Sequence, residues 1–261
     1  MLDDAIIQAI ADELVEADRN RQPVPLLTAR YPQMQVEDSY RVQSLWRKRG
    51  EEAGRVVKGH KIGLTSKAMQ DATGISEPDY GVIFDDMIFE SGLTVPWERY
   101  THPRIEVELA FVLKEELRGP GVNIFDVLRA TEYVVPALEI LDSRIEMEGR
   151  TIVDTISDNA AMGAMVIGGT PVKPDAVDLP RVGAALYVDN EVIETGIGAG
   201  VLGHPANGIH WLANRLCNFD ESLQPGEIVL AGSFTRPAWI SKGQAVFADY
   251  GELGCVTCHF A

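Results

Sequence analysis

Apolar residues recur every three to four positions at the start of the chain. Ile6, Ile7, Ile10 and Leu14 make a helical stripe that Pro23 and Pro25 interrupt. A second helix is marked at both ends. Glu37 and Asp38 fall in its first turn, Tyr40, Leu45 and Trp46 supply the apolar face, and Arg47, Lys48 and Arg49 lead to Gly50, so charge complements the helix dipole and the glycine predicts a stop. From Val56 onward the texture changes to alternation. Segments 104–113, 133–141, 184–188, 228–231 and 245–250 are short and β-rich, divided by Gly and Pro turns, with a helix over 206–216 between them. The pattern predicts an α+β chain: a helical N-terminal part, residues 1–55, and a β-rich catalytic domain, residues 56–261, without internal repeats or a low-complexity linker.

The segment from Arg104 to Leu113 alternates strictly, which sends Ile105, Val107, Leu109, Phe111 and Leu113 to one face of a strand and Glu106 and Glu108 to the other. Residues two apart on a strand are about 6.6 Å apart at the backbone, close enough for two flexible carboxylates to reach one cation. Ala110 and Val112 continue that face with apolar groups, so the pair enters a partly covered cavity. Glu139 interrupts the apolar run at 134–141, where an unpaired charge would be costly. Three carboxylates with no converging His or Cys suit a hard cation, Mg²⁺ or Mn²⁺, leaving positions for water and substrate. Pairing of the three with Arg104, Arg144 or other bases is the alternative.

Lys61 falls on a strand face shared with Gly59 and Gly63, where missing side chains leave room for a ligand, unless it is a solvated surface lysine. Asp79 lies in Glu77-Pro-Asp-Tyr-Gly81, where turn chemistry alone explains an aspartate. His60 and His204 show no metal spacing and read as hydrogen-bonded structural histidines.

Composition narrows the partners. The 261 residues, 46% hydrophobic and 24% charged, exclude a disordered, collagenous or disulfide-stapled chain. With 23 basic against 39 acidic residues the net charge is -16, which disfavours nucleic acid and anionic membrane surfaces, and no apolar run approaches the ~20 residues of a membrane span. Three cysteines, with Asp3 and Asp4 where a secretory signal would carry basic residues, suggest a reducing cytoplasm. Cys255 and Cys258 form one CxxC in a strand-like tail with no second pair to complete a zinc site, and read as buried inert thiols. Residues 196–203, GIGAGVLG, lack the preceding strand and following acidic residue of a dinucleotide fingerprint in a parallel βαβ unit, and read as a glycine-rich turn. No organic cofactor is expected.

Several segments together resemble a known family. KGHKIGLTSKAMQ (58–70), SEPDYG (76–81), PRIEVELAFVL (103–113), VVPALEILDSR (134–144), DTISDNAA (154–161), GHPANG (203–208) and GSFTRP (232–237) are similar to the 2-oxoalkenoate hydratases of aromatic meta-cleavage pathways. These belong to the fumarylacetoacetate hydrolase superfamily, which also holds 4-oxalocrotonate decarboxylases. The resemblance spans nearly the whole chain. It implies a mixed β-sheet roll, homo-oligomeric assembly, Mg²⁺ or Mn²⁺ on Glu106, Glu108 and Glu139, and proton transfer by Lys61 and Asp79. Within the family the chain looks most like the dioic-acid branch, which hydrates 2-oxohept-4-ene-1,7-dioate to 4-hydroxy-2-oxoheptane-1,7-dioate. Decarboxylases of the family typically lack an Asp at the position of Asp79, so the resemblance implies hydration. At Ala161 the chain departs from the Ser that many mono-acid hydratases carry, leaving no hydroxyl there.

The implied chemistry explains these residues. A 2-hydroxy-2,4-dienoate must ketonise to an unsaturated 2-oxo acid before water adds at the fourth carbon, and both steps pass negative charge through the 2-oxygen; a Lewis acid and an acid/base pair serve both. The far carboxylate of a dioic substrate needs its own partner. Arg236 is the candidate, on a loop flanked by Gly232 and Pro237, with Ser233 and Thr235 as hydroxyl donors; a surface arginine paired with an acidic neighbour is the alternative. Three other functions stay open: 2-oxopent-4-enoate hydration, 4-oxalocrotonate decarboxylation, and a non-catalytic metal-stabilised binding protein.

Overall fold

The computed structural model describes residues 1–66, 70 and 77–261, so positions 67–69 and 76 of the motif segments lie outside the described residues. Helix α1 (Asp4–Asn20) starts where the Asp3 side chain accepts the Ile6 N–H at 2.8 Å, and it buries Ile7, Ile10 and Leu14. After the short α2 (Leu27–Arg30), α3 (Val36–Glu52) packs against α1. The predicted stop at Gly50 is corrected: α3 runs on to Glu52, and Gly54, at φ 94°, follows the end. Gly50 instead serves packing, because a Cβ there would stand 2.6 Å from the Phe84 ring.

Thirteen strands follow among the described residues. In chain order they are β1 (Val57–Gly63), β2 (Asp79–Phe84), β3 (Ile88–Glu90), β4 (Thr94–Val95), β5 (Arg104–Leu113), β6 (Thr131–Leu141), β7 (Met162–Ile167), β8 (Gly183–Val188), β9 (Glu191–Ile197), β10 (Ile228–Ser233), β11 (Ala238–Trp239), β12 (Ala245–Asp249) and β13 (Cys255–Phe260). Helices α4 (Ile124–Ala130), α5 (Ile152–Ser157) and α6 (Ala206–Leu216) lie between strands. One sheet runs β2-β1-β10-β5-β6-β7-β3, with β11 added to β5, and a second runs β4-β13-β12-β8-β9. The β1–β10, β3–β7 and β4–β13 pairs are parallel and the other pairings antiparallel, so the sheets are mixed, as the α+β roll requires. One hydrophobic core runs from Ile7 and Trp46 in the helices to Phe111 and Phe260 in the two sheets. No helix among the described residues is long and apolar enough to cross a membrane.

Two further expectations change. Cys258 is buried but Cys255 is exposed, because residues three apart on β13 face opposite ways, which also keeps the pair from sharing a ligand. The segment 196–203 does adjoin a strand, its first two residues ending β9, but β9 is an antiparallel edge strand leading into a single 3₁₀ turn, so there is no βαβ unit.

The β6–β7 connection is fixed by buried charge. Asp158, fully enclosed, takes the Arg144 Nε at 2.6 Å, the Ser143 hydroxyl at 2.9 Å and the Arg150 guanidinium. Asp158→Asn would leave two sheltered guanidiniums short of their counter-charge and is expected to cost about 3–5 kcal/mol. A fall in the urea midpoint at constant slope is the predicted result; an unchanged midpoint would contradict it.

Candidate active site

The antiparallel register of β5 and β6 sets Glu106 directly opposite Glu139, while Glu108 pairs with Ala137 on one side and Ser233 of β10 on the other. One oxygen from each of the three carboxylates lies within 4.8 Å of the other two. Glu108 and Glu139 are buried and Glu106 is only 9% exposed, so water does not screen their repulsion.

Lys61, two strands away on β1, brings the compensating cation: its Nζ is 3.0 Å from Glu139 Oε1, and it is as buried as the glutamates. The glycines beside it do not leave room for a ligand, correcting the expectation. A Cβ at Gly59 would stand 1.8 Å from the Ile228 carbonyl oxygen, and one at Gly63 would stand 2.2 Å from Asp79 Oδ1 and 3.3 Å from Lys61 Nζ. Gly59 admits the neighbouring strand and Gly63 admits the Asp79 side chain. Asp79 is not a turn residue either. It opens β2 in register with Gly63 and is 1% exposed, because pairing with β1 extends to the first residue after Pro78.

Polar satisfaction fails at this cluster. Glu108 Oε2 accepts the Gly232 N–H at 2.8 Å, but Glu108 Oε1, both Glu139 oxygens and Asp79 Oδ1 are buried without a hydrogen-bond donor among the described residues. The Lys61 ammonium is near Glu139 but not aligned as a hydrogen bond. Arg144, a candidate partner, is engaged by Asp158 and by Asp18 at 3.2 Å. Burial pushes Glu106 up to about 8, with the Glu139 charge adding and Lys61 opposing. Burial likewise holds Glu108 well above, and Asp79 above, the usual carboxylate range. For Lys61 burial alone would lower the pKa, but Glu139, then Asp79 and Glu106, outweigh it and carry the ammonium up to about 12. An all-oxygen donor set, with buried oxygens lacking donors, fits a hard divalent cation.

Beside the cluster lies a cleft of about 700 Å³, with Thr65, Gly200, Leu202, Phe234, Thr235 and Arg236 in its wall. Gly232, which holds Glu108, leads directly into the segment from Ser233 to Arg236 that forms this wall. The Ser233 hydroxyl donates to the Thr235 carbonyl at 2.8 Å and accepts the Thr235 N–H at 3.1 Å, so it shapes the loop. Thr235 Oγ1 accepts the Val107 N–H at 3.3 Å. Arg236 is 79% exposed and pairs with Glu194 at 2.7 Å, the alternative foreseen for it. The glycine-rich turn at 196–203 also lines this cleft, a role its composition did not reveal.

Three supporting residues escaped the sequence pattern. The Asn159 amide bonds both the N–H and the carbonyl of Val82, at 2.8 and 2.9 Å, acting as a neighbour for the edge strand that carries Asp79. Gln43 of α3 donates to the Tyr80 carbonyl at 2.7 Å. The Tyr250 hydroxyl reaches the carbonyls of Glu108 and Ala137, at 2.9 and 2.5 Å, between the two strands that bear the glutamates. Only the long-range fold brings these groups to the site. His60 and His204 are structural, against Glu227 at 3.2 Å and the Ala206 N–H at 3.0 Å.

The raised carboxylates give a signed prediction. Glu106 keeps its proton in the folded chain up to about 8 but releases it near 4.5 when unfolded, so its contribution is fully present below 4.5 and is lost as pH rises through 8. Chelator-treated protein should lose several degrees of Tm across that window, and a saturating divalent cation should reduce the loss. A profile that is flat, or unaffected by cation, would contradict this.

Comparison with known proteins agrees with the fold. Residues 55–261 match the family model described as fumarylacetoacetate (FAA) hydrolase C-terminal. A 2-oxo-hept-4-ene-1,7-dioate hydratase of Escherichia coli is 49% identical over 257 residues, 96% of each chain. A 2-keto-4-pentenoate hydratase of Paraburkholderia xenovorans (strain LB400) is 38% identical over 96% of this chain and 93% of that one. The solved 4-oxalocrotonate decarboxylase from Pseudomonas putida G7, complexed with magnesium and adipate, is 33% identical with a TM-score of 0.97, covering 100% of this chain and 99% of that one. With the family model spanning residues 55–261 and relatives aligned over nearly its full length, the chain belongs to the fumarylacetoacetate hydrolase family.

Proposed function

We propose that the protein is a divalent-cation-dependent hydratase of 2-hydroxyalka-2,4-dienoates, with 2-oxohept-4-ene-1,7-dioate as its substrate and 4-hydroxy-2-oxoheptane-1,7-dioate as its product. The observation that carries this reading is the buried Glu106, Glu108 and Glu139 cluster, with Lys61 and Asp79 against it. Glu106, Glu108 and Glu139 would hold Mg²⁺ or Mn²⁺, which supplies a Lewis acid that lowers the energy of negative charge on the substrate's 2-oxygen.

The chain's own groups supply position and protons. Lys61, kept charged by Glu139, can present an N–H to a developing anion. Asp79, which burial biases toward its protonated form, can give a proton to the fifth carbon during ketonisation while the 2-hydroxyl proton leaves to solvent; its carboxylate can then take a proton from the water that attacks the fourth carbon and return it to the third, a later proton from solvent restoring the acid. The two side chains share the space that Gly63 leaves open, close enough to exchange a proton through one bound water. The cleft beside Glu108 admits the rest of the substrate, with the exposed Arg236 exchanging its half-buried Glu194 partner for the far carboxylate and Thr235 adding a hydroxyl. An exposed ion pair is worth at most about 1 kcal/mol, so the exchange is affordable.

Hydration is preferred to decarboxylation because the dioic hydratase relative is the more similar, 49% against 33% identical, and because Asp79 is in place. A purely binding role leaves the buried Lys61–Asp79 arrangement without a use.

Glu→Gln at 106, 108 or 139 is expected to weaken cation affinity and turnover together, followed by calorimetry and by loss of dienoate absorbance. Asp79→Asn and Lys61→Met should lower turnover by about 10²-fold or more with the cation still bound. Full activity after exhaustive chelation, or normal turnover in Asp79→Asn, would overturn these roles. Arg236→Met should raise KM for the seven-carbon dioic acid far more than for the five-carbon mono-acid; equal effects would remove Arg236 from the site.

A further inference from the structure

With 39 acidic residues against 23 basic ones, a sheltered arginine in this chain ordinarily finds a carboxylate. Arg144 and Arg150 do so at Asp158. Arg104 does not. Its guanidinium makes no hydrogen bond and no ion pair among the described residues, and its Nε is buried without an acceptor. Trp239, its register partner on β11, lies with the ring centroid 5.4 Å from the guanidinium carbon, which steadies the group without accepting from its N–H donors in the ring plane. A buried donor left unmet is costly, and an acceptor from outside the chain removes that cost.

Position indicates what the acceptor is. Arg104 shares the β5 face of Glu106 and Glu108 and precedes Glu106 by two residues, about 6.6 Å along the strand. It stands beside the carboxylate cluster without closing an ion pair onto it. We infer that Arg104 receives the carboxylate adjacent to the 2-oxo group of the substrate, its planar fork taking the oxygens turned away from the glutamates. This rests on the 2-oxo acid reading of the site and adds the chain group that holds the acid end common to mono-acid and dioic substrates. Arg104 and Arg236 then read opposite ends of a dioic molecule, so their losses differ in kind: Arg104 affects every 2-oxo acid, whereas Arg236 affects those with a second charge.

The test is calorimetric titration of Mg²⁺-loaded protein with 2-oxopentanoate, a saturated analogue that cannot be hydrated. Arg104→Met is expected to weaken its binding about 10- to 100-fold, while Mg²⁺ affinity changes by less than about 3-fold. Arg104→Lys, which keeps the charge but not the fork, should fall between. In kinetics, Arg104→Met should raise KM for the mono-acid and the dioic acid by the same factor. Undiminished 2-oxopentanoate binding, a parallel loss of Mg²⁺ affinity, or a loss confined to the dioic acid would each overturn the assignment. Failure of the Mg²⁺-loaded wild-type protein to bind 2-oxopentanoate at all would instead overturn the 2-oxo acid reading on which it rests.

Discussion

Glu106 and Glu139 face each other across two hydrogen-bonded strands, with Glu108 beside them, and water is excluded from all three. Like charges so placed repel strongly at low effective dielectric, and one ammonium, Lys61, cannot offset three carboxylates and Asp79. The protein has two ways to relieve the repulsion: hold protons, as the upward shifts of Glu106 and Glu108 express, or hold a cation. The surrounding structure keeps the carboxylates together against that repulsion.

It does so by backbone pairing rather than by further charge. The ten-residue β5 lies between β6 and β10, so neither glutamate-bearing strand can move aside, and Tyr250 closes on the carbonyls of Glu108 and Ala137 from the second sheet. The edge strand that carries Asp79 is fixed from outside by Asn159 and Gln43, which stand in for the missing neighbour. Under the proposed function such fixed oxygens would suit a small hard ion, because a donor set that cannot spread apart matches one ion size better than others.

What was legible in the sequence follows from the range over which each signal acts. Alternation along β5 placed Glu106 and Glu108 on one face, and a charge inside an apolar run marked Glu139, because strand periodicity and burial are written locally. Asp79 was hidden, since Pro-Asp-Tyr-Gly carries turn chemistry and only pairing with Gly63 turns it into a buried strand residue. The glycines around Lys61 invited the wrong occupant for the same reason: that Gly59 faces Ile228 and Gly63 faces Asp79 depends on partners far along the chain. Strand β9 went unseen because nearly all its residues are exposed, leaving no burial pattern to read. Arg104 stood in the sequence as a possible partner for the glutamates, and the fold leaves it beside them and without an ion pair among the described residues.

The central claim is that buried carboxylates alternate between protons and a divalent cation. Calorimetric titration of chelator-treated protein with Mg²⁺ near neutral pH, repeated in buffers of different ionisation enthalpy, counts the protons exchanged per cation bound. The account predicts tight binding at one site per chain with net proton release that shrinks as pH rises above about 8, where Glu106 is already ionised. Absence of binding, or binding whose heat is the same in every buffer, would contradict it.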